Sequence, residues 1–256
     1  TLNNKTLFAA YKAMLKPIAP FAVRGTLWCQ GESNLGLGKA EAYSRLLPLL
    51  AQCWRSEFRS PDMKFYYTQQ YPYPYMPGTM SYELREAQRR CMSDIPGSGM
   101  ACMIDMGRKE SLRTFDKKTE GERLALWALR DIYGKRVEPM GPELESFTVN
   151  KSNSSIELTF KHATGGLVAK GGVLSDFEIS DNNGNFVPAT AHIEGNKIIV
   201  SNPDVSKPRN VRYAFHEWIE SASLYNGAGM PASSFTTEKS YMADSESIMK
   251  DMKSGN

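Results

Sequence analysis

The sequence predicts an α/β fold with a parallel sheet and flanking helices over residues 1–140, followed by a smaller antiparallel β-sandwich-like subdomain over 141–238. Three observations carry this reading. Strand-like apolar runs alternate with helix-period runs as far as Gly134, the layering expected of α/β folds. Beyond Gly134 the helical period gives way to short alternating runs separated by Asn-, Gly- and Pro-containing turns. Finally, the apolar run Val23, Thr26, Leu27, Trp28 stops in Gln30-Gly31-Glu32-Ser33-Asn34, a cluster more polar than packing requires. A buried strand that empties into small and polar residues before a helix is one β-loop-α unit of a parallel sheet.

The elements follow in order. A helical stretch from Leu7 to Leu15 is broken by Pro17, and strand Ala22 to Trp28 leads through the polar cluster to helix Ala40 to Phe58. Strand Lys64 to Gln69, helix Tyr82 to Met92, strand Met100 to Ile104 and helix Gly121 to Tyr133 complete the α/β part. In the last helix Leu124, Trp127, Ala128 and Ile132 recur at three- and four-residue spacing, a face that packs on a sheet, and Gly134 is placed to end it. In the second part Val149, Ile156-Leu158-Phe160, Leu174 with Phe177-Ile179, Ile193, Ile198-Val200 and Val211-Tyr213-Phe215 mark the strands. Residues 239–256 form a polar tail with a weak helical pattern, read as a mobile terminus.

Composition narrows the function classes. A chain of 256 residues buries roughly three quarters of its unfolded surface, so a core needs neither disulfide nor metal. A net charge of +3 with dispersed lysines and arginines gives nucleic-acid binding no support. No run of 18 apolar residues occurs, so no membrane-spanning helix and no membrane partner is expected. Cys29, Cys53, Cys91 and Cys102 are too scattered for a zinc or redox motif and read as small buried apolar residues. The start at Thr1-Leu2-Asn3-Asn4 has neither an initiator Met nor a signal-peptide pattern, which leads to the expectation that something has been removed upstream.

Arg24-Gly25-Thr26-Leu27-Trp28-Cys29-Gln30-Gly31-Glu32-Ser33-Asn34 resembles the "rG-x-x-W-Y-Q-G-E-S-N" segment of sialate O-acetylesterases, which are SGNH-type carbohydrate esterases. The resemblance continues through Cys53-Trp54-Arg55, Leu84-Arg85-Glu86-Ala87-Gln88, Gly99-Met100-Ala101 with Ile104-Asp105-Met106-Gly107, and Gly121-Glu122-Arg123-Leu124-Ala125. It resumes at Val211-Arg212-Tyr213-Ala214-Phe215, at Leu224-Tyr225-Asn226 and from Gly229 to Phe235. It implies that the first part is the carboxy-terminal portion of an SGNH-like sheet, in a secreted, periplasmic or lysosomal setting. It also implies an O-acetylated sugar as substrate, hydrolysed without metal or cofactor by a serine nucleophile, a histidine–acid pair and oxyanion donors.

Mapped onto this chain, that machinery is incomplete. The family's "G-Q-S-N" nucleophile segment does not occur and is expected upstream of Thr1. Ser33 is a substitute candidate, but Gly36 falls one residue late for a G-x-S-x-G elbow, and the alternative is that Ser33 or Asn34 bonds the turn. The resemblance implies that Gln30, Gly31, Glu32 and Asn34 line the site, with the Gln30 amide as an oxyanion donor. Asp105 ends an apolar strand and is expected in the same crevice, as a carboxylate that fixes a loop or takes part in catalysis. Anchoring on Gly121, Arg123, Leu124 and Ala125 puts Arg113 at the catalytic-histidine position and Ser111 at the acid; arginine cannot act as a general base.

The histidines, His162, His192 and His216, all lie in the β-rich part. Two further features have both a structural and a sugar-binding reading: Tyr71 and Tyr73, stiffened between prolines, pack over the sheet edge or offer ring faces to a sugar, and the cationic loop containing Arg108, Lys109, Arg113, Lys117 and Lys118 is by default solvated charge and alternatively a docking site for an anionic sugar. The chain alone is therefore expected to be inactive. The competing reading is a non-catalytic relative that binds a sugar acid. A sheet missing its first strands would expose an edge, so an amino-terminal segment or a second copy of the chain is the expected protein partner.

Overall fold

In the computed structural model, residues 8–111, 116–152 and 154–238 are described. The α/β part holds a three-stranded parallel sheet in the order β1 (Gly25–Trp28), β2 (Lys64–Thr68), β3 (Ser98–Ala101). Helices α1 (Lys39–Glu57), α2 (Ser81–Asp94) and α3 (Lys117–Asp131) connect and cover it. Alternate residues of a strand face opposite sides, and the central strand uses both. Phe65 and Tyr67 pack with Tyr43, Leu47 and Ala51 of α1 and Leu84 and Cys91 of α2, whereas Tyr66 packs with Leu124 and Trp127 of α3. Trp127 lies so close to β3 that a Cβ on Gly99 would overlap its ring, which is why this strand carries a glycine.

α1 continues through Pro48, an interior position that normally breaks a helix because the carbonyl four residues earlier loses its donor. Here the Cys91 thiol of α2 donates to the Ser44 carbonyl at 3.7 Å. Cys91 and Cys102 are buried, as expected, whereas Cys29 and Cys53 are exposed; Cys91 also fills that vacancy in the helix ladder.

Two boundaries differ from the sequence reading. The third strand ends at Ala101 rather than Ile104. After Gln69 N–H bonds the Ala101 carbonyl at 3.0 Å, the chain leaves the sheet, Arg123 takes the Cys102 carbonyl at 2.5 Å, and Cys102 and Ile104 join the core of the β-rich part. α3 starts at Lys117 rather than Gly121, because Asp116 caps it by accepting from the Thr119 N–H at 2.9 Å.

The β-rich part has two four-stranded antiparallel sheets and a strand pair. One sheet runs β4 (Glu143–Asn150), β5 (Ser155–Lys161), β10 (Lys197–Ser201), β9 (Thr190–Glu194). The other runs β13 (Phe235–Thr236), β11 (Asn210–Tyr213), β7 (Phe177–Ser180), β8 (Phe186–Pro188). β6 (Leu167–Ala169) pairs with β12 (Leu224–Asn226). Ile156, Leu158, Ile179, Ile198, Val200, Val211 and Phe235 from both sheets form one core, the sandwich-like arrangement the alternation predicted. Residues 239–256, the predicted tail, lie outside the described residues.

Candidate functional site

A cavity of about 460 Å³ opens at the carboxyl ends of β1 and β2, where open α/β sheets place their ligand crevice. Cys29, Gln30, Glu32 and Ser33 come from the segment after β1. Thr68 ends β2, Gln69, Gln70 and Tyr71 follow it, and Lys117 and Glu120 come from the first turn of α3.

The wall is held from behind by α2. Gln88 accepts from the Gln70 N–H at 2.8 Å and donates to the carbonyls of Thr68 at 3.4 Å and Gln30 at 3.5 Å. Tyr43 of α1 donates to the same Gln30 carbonyl at 3.2 Å. The backbone at Gln30 is thus fixed by two helices, and its side chain is aimed by donating to Asn34 Oδ1 at 2.6 Å. A primary amide has two N–H donors, and among the described residues one bond, to Asn34, is made by this group. Gly31 is buried, and a Cβ there would overlap Gln70 Oε1, whose own amide donates to Tyr75 at 2.6 Å. A Cβ at this position would force the Gln70 side chain to shift from its bond to Tyr75.

On the opposite wall Lys117 Nζ lies 2.6 Å from Glu120, 3.4 Å from the Tyr71 hydroxyl and over the Tyr71 ring. Burial, reinforced by the bond to Glu120, drives the Tyr71 hydroxyl far above its usual range, so it stays a neutral donor. Burial likewise raises the Cys29 thiol, which is therefore a poor nucleophile near neutral pH. Ser33 sits in the 3-10 turn Glu32–Asn34, separated from α1 by Leu35 to Gly38, and so is not on a strand-to-helix elbow.

No histidine lines this cavity. His162, His192 and His216 lie 3.7, 3.0 and 3.6 Å from Glu138, Glu194 and Glu178 respectively, all in or beside the β-rich part. Among the described residues no group of three or more His, Cys, Asp or Glu side chains could hold a metal ion.

The surrounding architecture has counterparts in known proteins. A crystal structure of a carbohydrate acetylesterase from Xanthomonas citri superposes with a TM-score of 0.85 at 29% identity, covering 90% of this chain and 54% of that one. The sialate O-acetylesterase of Mus musculus is 23% identical over 257 residues, 90% of this chain and 47% of the mouse protein. The chain is sialate O-acetylesterase-like. It spans about half the length of these two relatives. No family model matches it.

In this sialate O-acetylesterase-like chain the residues singled out from sequence fall into separate places. Gln30, Glu32, Ser33 and Tyr71 share the cavity, Gly31 lies behind it, and Asn34 orients Gln30 from the side. Asp105, expected in the same crevice, lines a different cavity with Lys170, Trp218 and Tyr225. Arg123 grips its two oxygens at 2.6 and 2.7 Å and the Tyr225 hydroxyl donates to it at 2.9 Å, which holds it at the junction of the two parts. Burial would raise this carboxyl, yet the Arg123 and Tyr225 bonds win and hold it below the usual carboxylate range. Tyr73 also leaves the cavity: its N–H bonds the Glu217 carbonyl at 3.0 Å and its ring packs edge-on against Tyr75. Arg113 lies outside the described residues.

Glu120 and Gln88 escaped the sequence reading. Glu120 was hidden by the late helix start, although Asp116, a favourable N-cap residue ahead of the helical period, would have placed it in the first turn of α3. Gln88 lies in a segment that carries the family resemblance, but nothing in the sequence shows that its amide reaches both strand ends.

Proposed function

We propose that the Gln30 cavity is the oxyanion-side wall of a carbohydrate O-acetylesterase site, for acetyl groups on sialic acid or a related sugar, and that this chain by itself does not turn substrate over. The observation that carries the reading is a polar cavity at the ends of β1 and β2, built on a fold similar to that of an acetylesterase. The Gln30 amide is pre-aimed by Asn34 and its backbone is clamped, the preorganisation that charge stabilisation in a transition state needs. Tyr71, Lys117 and Ser33 add donors suited to sugar hydroxyls. Inactivity is supported by the lining itself, which has no histidine to take a proton from a hydroxyl nucleophile.

Purified chain should be assayed against aryl acetates and O-acetylated sialic acid. An oxyanion wall without a working triad is expected to give at most about 10³ to 10⁴ over water. Turnover of about 1 s⁻¹ or more, the ordinary enzyme range, would overturn the inactive reading, and Ser33→Ala would then test the substitute nucleophile.

A second reading, a non-catalytic sugar-acid binder, is favoured by one feature: an ammonium group, Lys117, in a wall that has no histidine. Its attraction is already largely taken up by Glu120 at 2.6 Å. Calorimetric titration with sialic acid separates the readings. Binding that Arg113→Ala weakens by roughly tenfold to a hundredfold, as loss of a charge-assisted bond implies, would favour the binder.

A further inference from the structure

A second cavity, of about 240 Å³, opens where the two parts of the chain meet. Asp105 and Gly107 come from the segment after β3, Lys170 and Gly171 follow β6, and Trp218, Glu220 and Tyr225 come from the run that ends in β12. The buried Tyr225 links these walls: its hydroxyl donates to Asp105 at 2.9 Å and accepts from Lys170 Nζ at 3.3 Å, and the same ammonium lies 4.5 Å from the centre of its ring. Burial, with the Asp105 charge beside it, drives this hydroxyl far above its usual range, so it stays neutral between the two charges. The Trp218 indole is also fixed in place. Its Nε1–H donates to Glu220 at 2.8 Å, Lys109 lies over its ring, and a Cβ on Gly107 would come 3.1 Å from that ring and overlap the Pro72 carbonyl.

The charges of this cavity leave one cation unmatched. Arg123 neutralises Asp105, and with Tyr225 it fills three of the roughly four acceptor positions a carboxylate offers. Lys109 neutralises Glu220 at 2.7 Å. Among the described residues Lys170 enters no ion pair; its partners are the hydroxyl and the ring of Tyr225. An ammonium carries three N–H donors, and one of them serves Tyr225. The unspent capacity of the lining is therefore one positive charge beside one preorganised aromatic ring.

We infer that this junction cavity is a second binding site, for one carboxylated sugar ring, in which Lys170 takes the carboxylate and the Trp218 indole packs against the ring. A sugar acid matches each part of the lining. Its carboxylate supplies the missing partner of the ammonium in a charge-assisted bond. Its C–H face suits the indole and Ile219, and its hydroxyls find acceptors in Glu220 and Ser221. A neutral sugar would leave Lys170 unmatched, and a bare inorganic anion would leave the aromatic wall unused. The two cavities have no lining residue in common, so the inference goes beyond the Gln30 site and does not depend on ester hydrolysis there.

The test is nuclear magnetic resonance of the full chain, following the Trp218 indole N–H, assigned with Trp218→Phe, during titration with glucuronic acid and in parallel with glucose. Glucuronic acid, added to about 50 mM so that a Kd in the mM range is covered, should shift this resonance along a saturating curve. Glucose should bind about tenfold or more weakly, a contrast read in the wild-type chain. Lys170 is exposed, so Lys170→Met should leave the thermal melt unchanged while weakening glucuronic acid about tenfold or more, and Lys170→Arg should retain binding. Lys117→Met, in the Gln30 cavity, should leave the curve as it is. Ester hydrolysis is not the readout, so failure of this site and failure of the esterase reading are distinguishable. No saturating shift, equal affinity for glucose and glucuronic acid, or a curve indifferent to Lys170→Met and lost instead in Lys117→Met would each overturn the inference.

Discussion

The two parts of this molecule solve the same problem differently. In the β-rich part, leucines and isoleucines of facing sheets are fully enclosed: Ile156, Leu158, Ile179 and Ile198 show no accessible surface. In the α/β part, α1 buries Leu47 but leaves Leu46 and Leu49 half in solvent, and β1 exposes Leu27. The difference teaches that the β-rich part encloses its core, whereas among the described residues the α/β part encloses an interior against α1, α2 and α3 and leaves apolar side chains exposed beyond β1. The polar cavity sits on the α/β part, which buried polar and charged side chains hold against the β-rich one.

That junction offers the largest test. Arg85 is fully buried, donates to Ser81 at 3.2 Å and Ser234 at 3.3 Å, and bonds the carbonyls of Ala214 and His216. Burial lowers its guanidinium to about 10, still cationic at neutral pH, with Glu217 as the nearest opposing charge. Arg85→Ala should cost about 3 kcal/mol or more, because it empties a fully buried site and each buried hydroxyl or carbonyl left unsatisfied costs about 1 to 3 kcal/mol. Denaturant unfolding followed separately by the tryptophans of the α/β part and by far-ultraviolet dichroism should change from coincident to split transitions. Coincident transitions of unchanged midpoint would show that the two parts are joined by other means.

The same residue type then measures the contrast within the two cores. Leu158→Ala in the β-rich core should cost about 2 to 5 kcal/mol through transfer and cavity effects, while Leu49→Ala on α1 should stay within about 0.5 kcal/mol. Equal losses in chemical denaturation would mean that the α1 flank is as enclosed as the sandwich.

Asp105 sharpens the comparison through pH. Its carboxyl, ordinarily near ~3.9, is held lower in the folded chain by Arg123 and Tyr225 in spite of burial. A depressed acid contributes stability that is whole above its unfolded value and is lost as pH falls through the folded one. Asp105→Asn should therefore cost about 1.5 to 3 kcal/mol near neutrality, the worth of hydrogen bonds to a charged group. The gap between wild type and variant should narrow below about pH 4. A pH-independent gap in thermal melts from pH 3 to 7 would remove the ion pair as its cause.

The smallest effect is local to the cavity. Gly31→Ala should cost about 1 to 3 kcal/mol by overpacking against Gln70. Because Gln70 and Gln30 share Gln88, the substitution should also displace the Gln30 amide, visible as a shifted side-chain resonance, without altering the β-rich part.

Much of the fold was legible in the chain because periodicity reports burial directly. The alternation of helical and strand runs before Gly134 and the period of two after it are statements about which side chains face a core, and the structure places those residues there. The end of β1 in a polar cluster located the cavity by the same logic, since strands of a parallel sheet deliver their loops to one edge. What the tertiary structure alone decided was which polar residues meet. Asp105 and Gln30 both follow strand ends, yet Arg123 and Tyr225, 18 and 120 residues away in the chain, draw the carboxylate into the junction. Tyr73 is taken by the Glu217 backbone, while Tyr71, two residues earlier, remains in the cavity beside Lys117 and Glu120. Hydrophobic burial is non-directional and leaves its period in the sequence, whereas a hydrogen bond or ion pair is formed by whichever distant partner the folded backbone brings within about 3 Å.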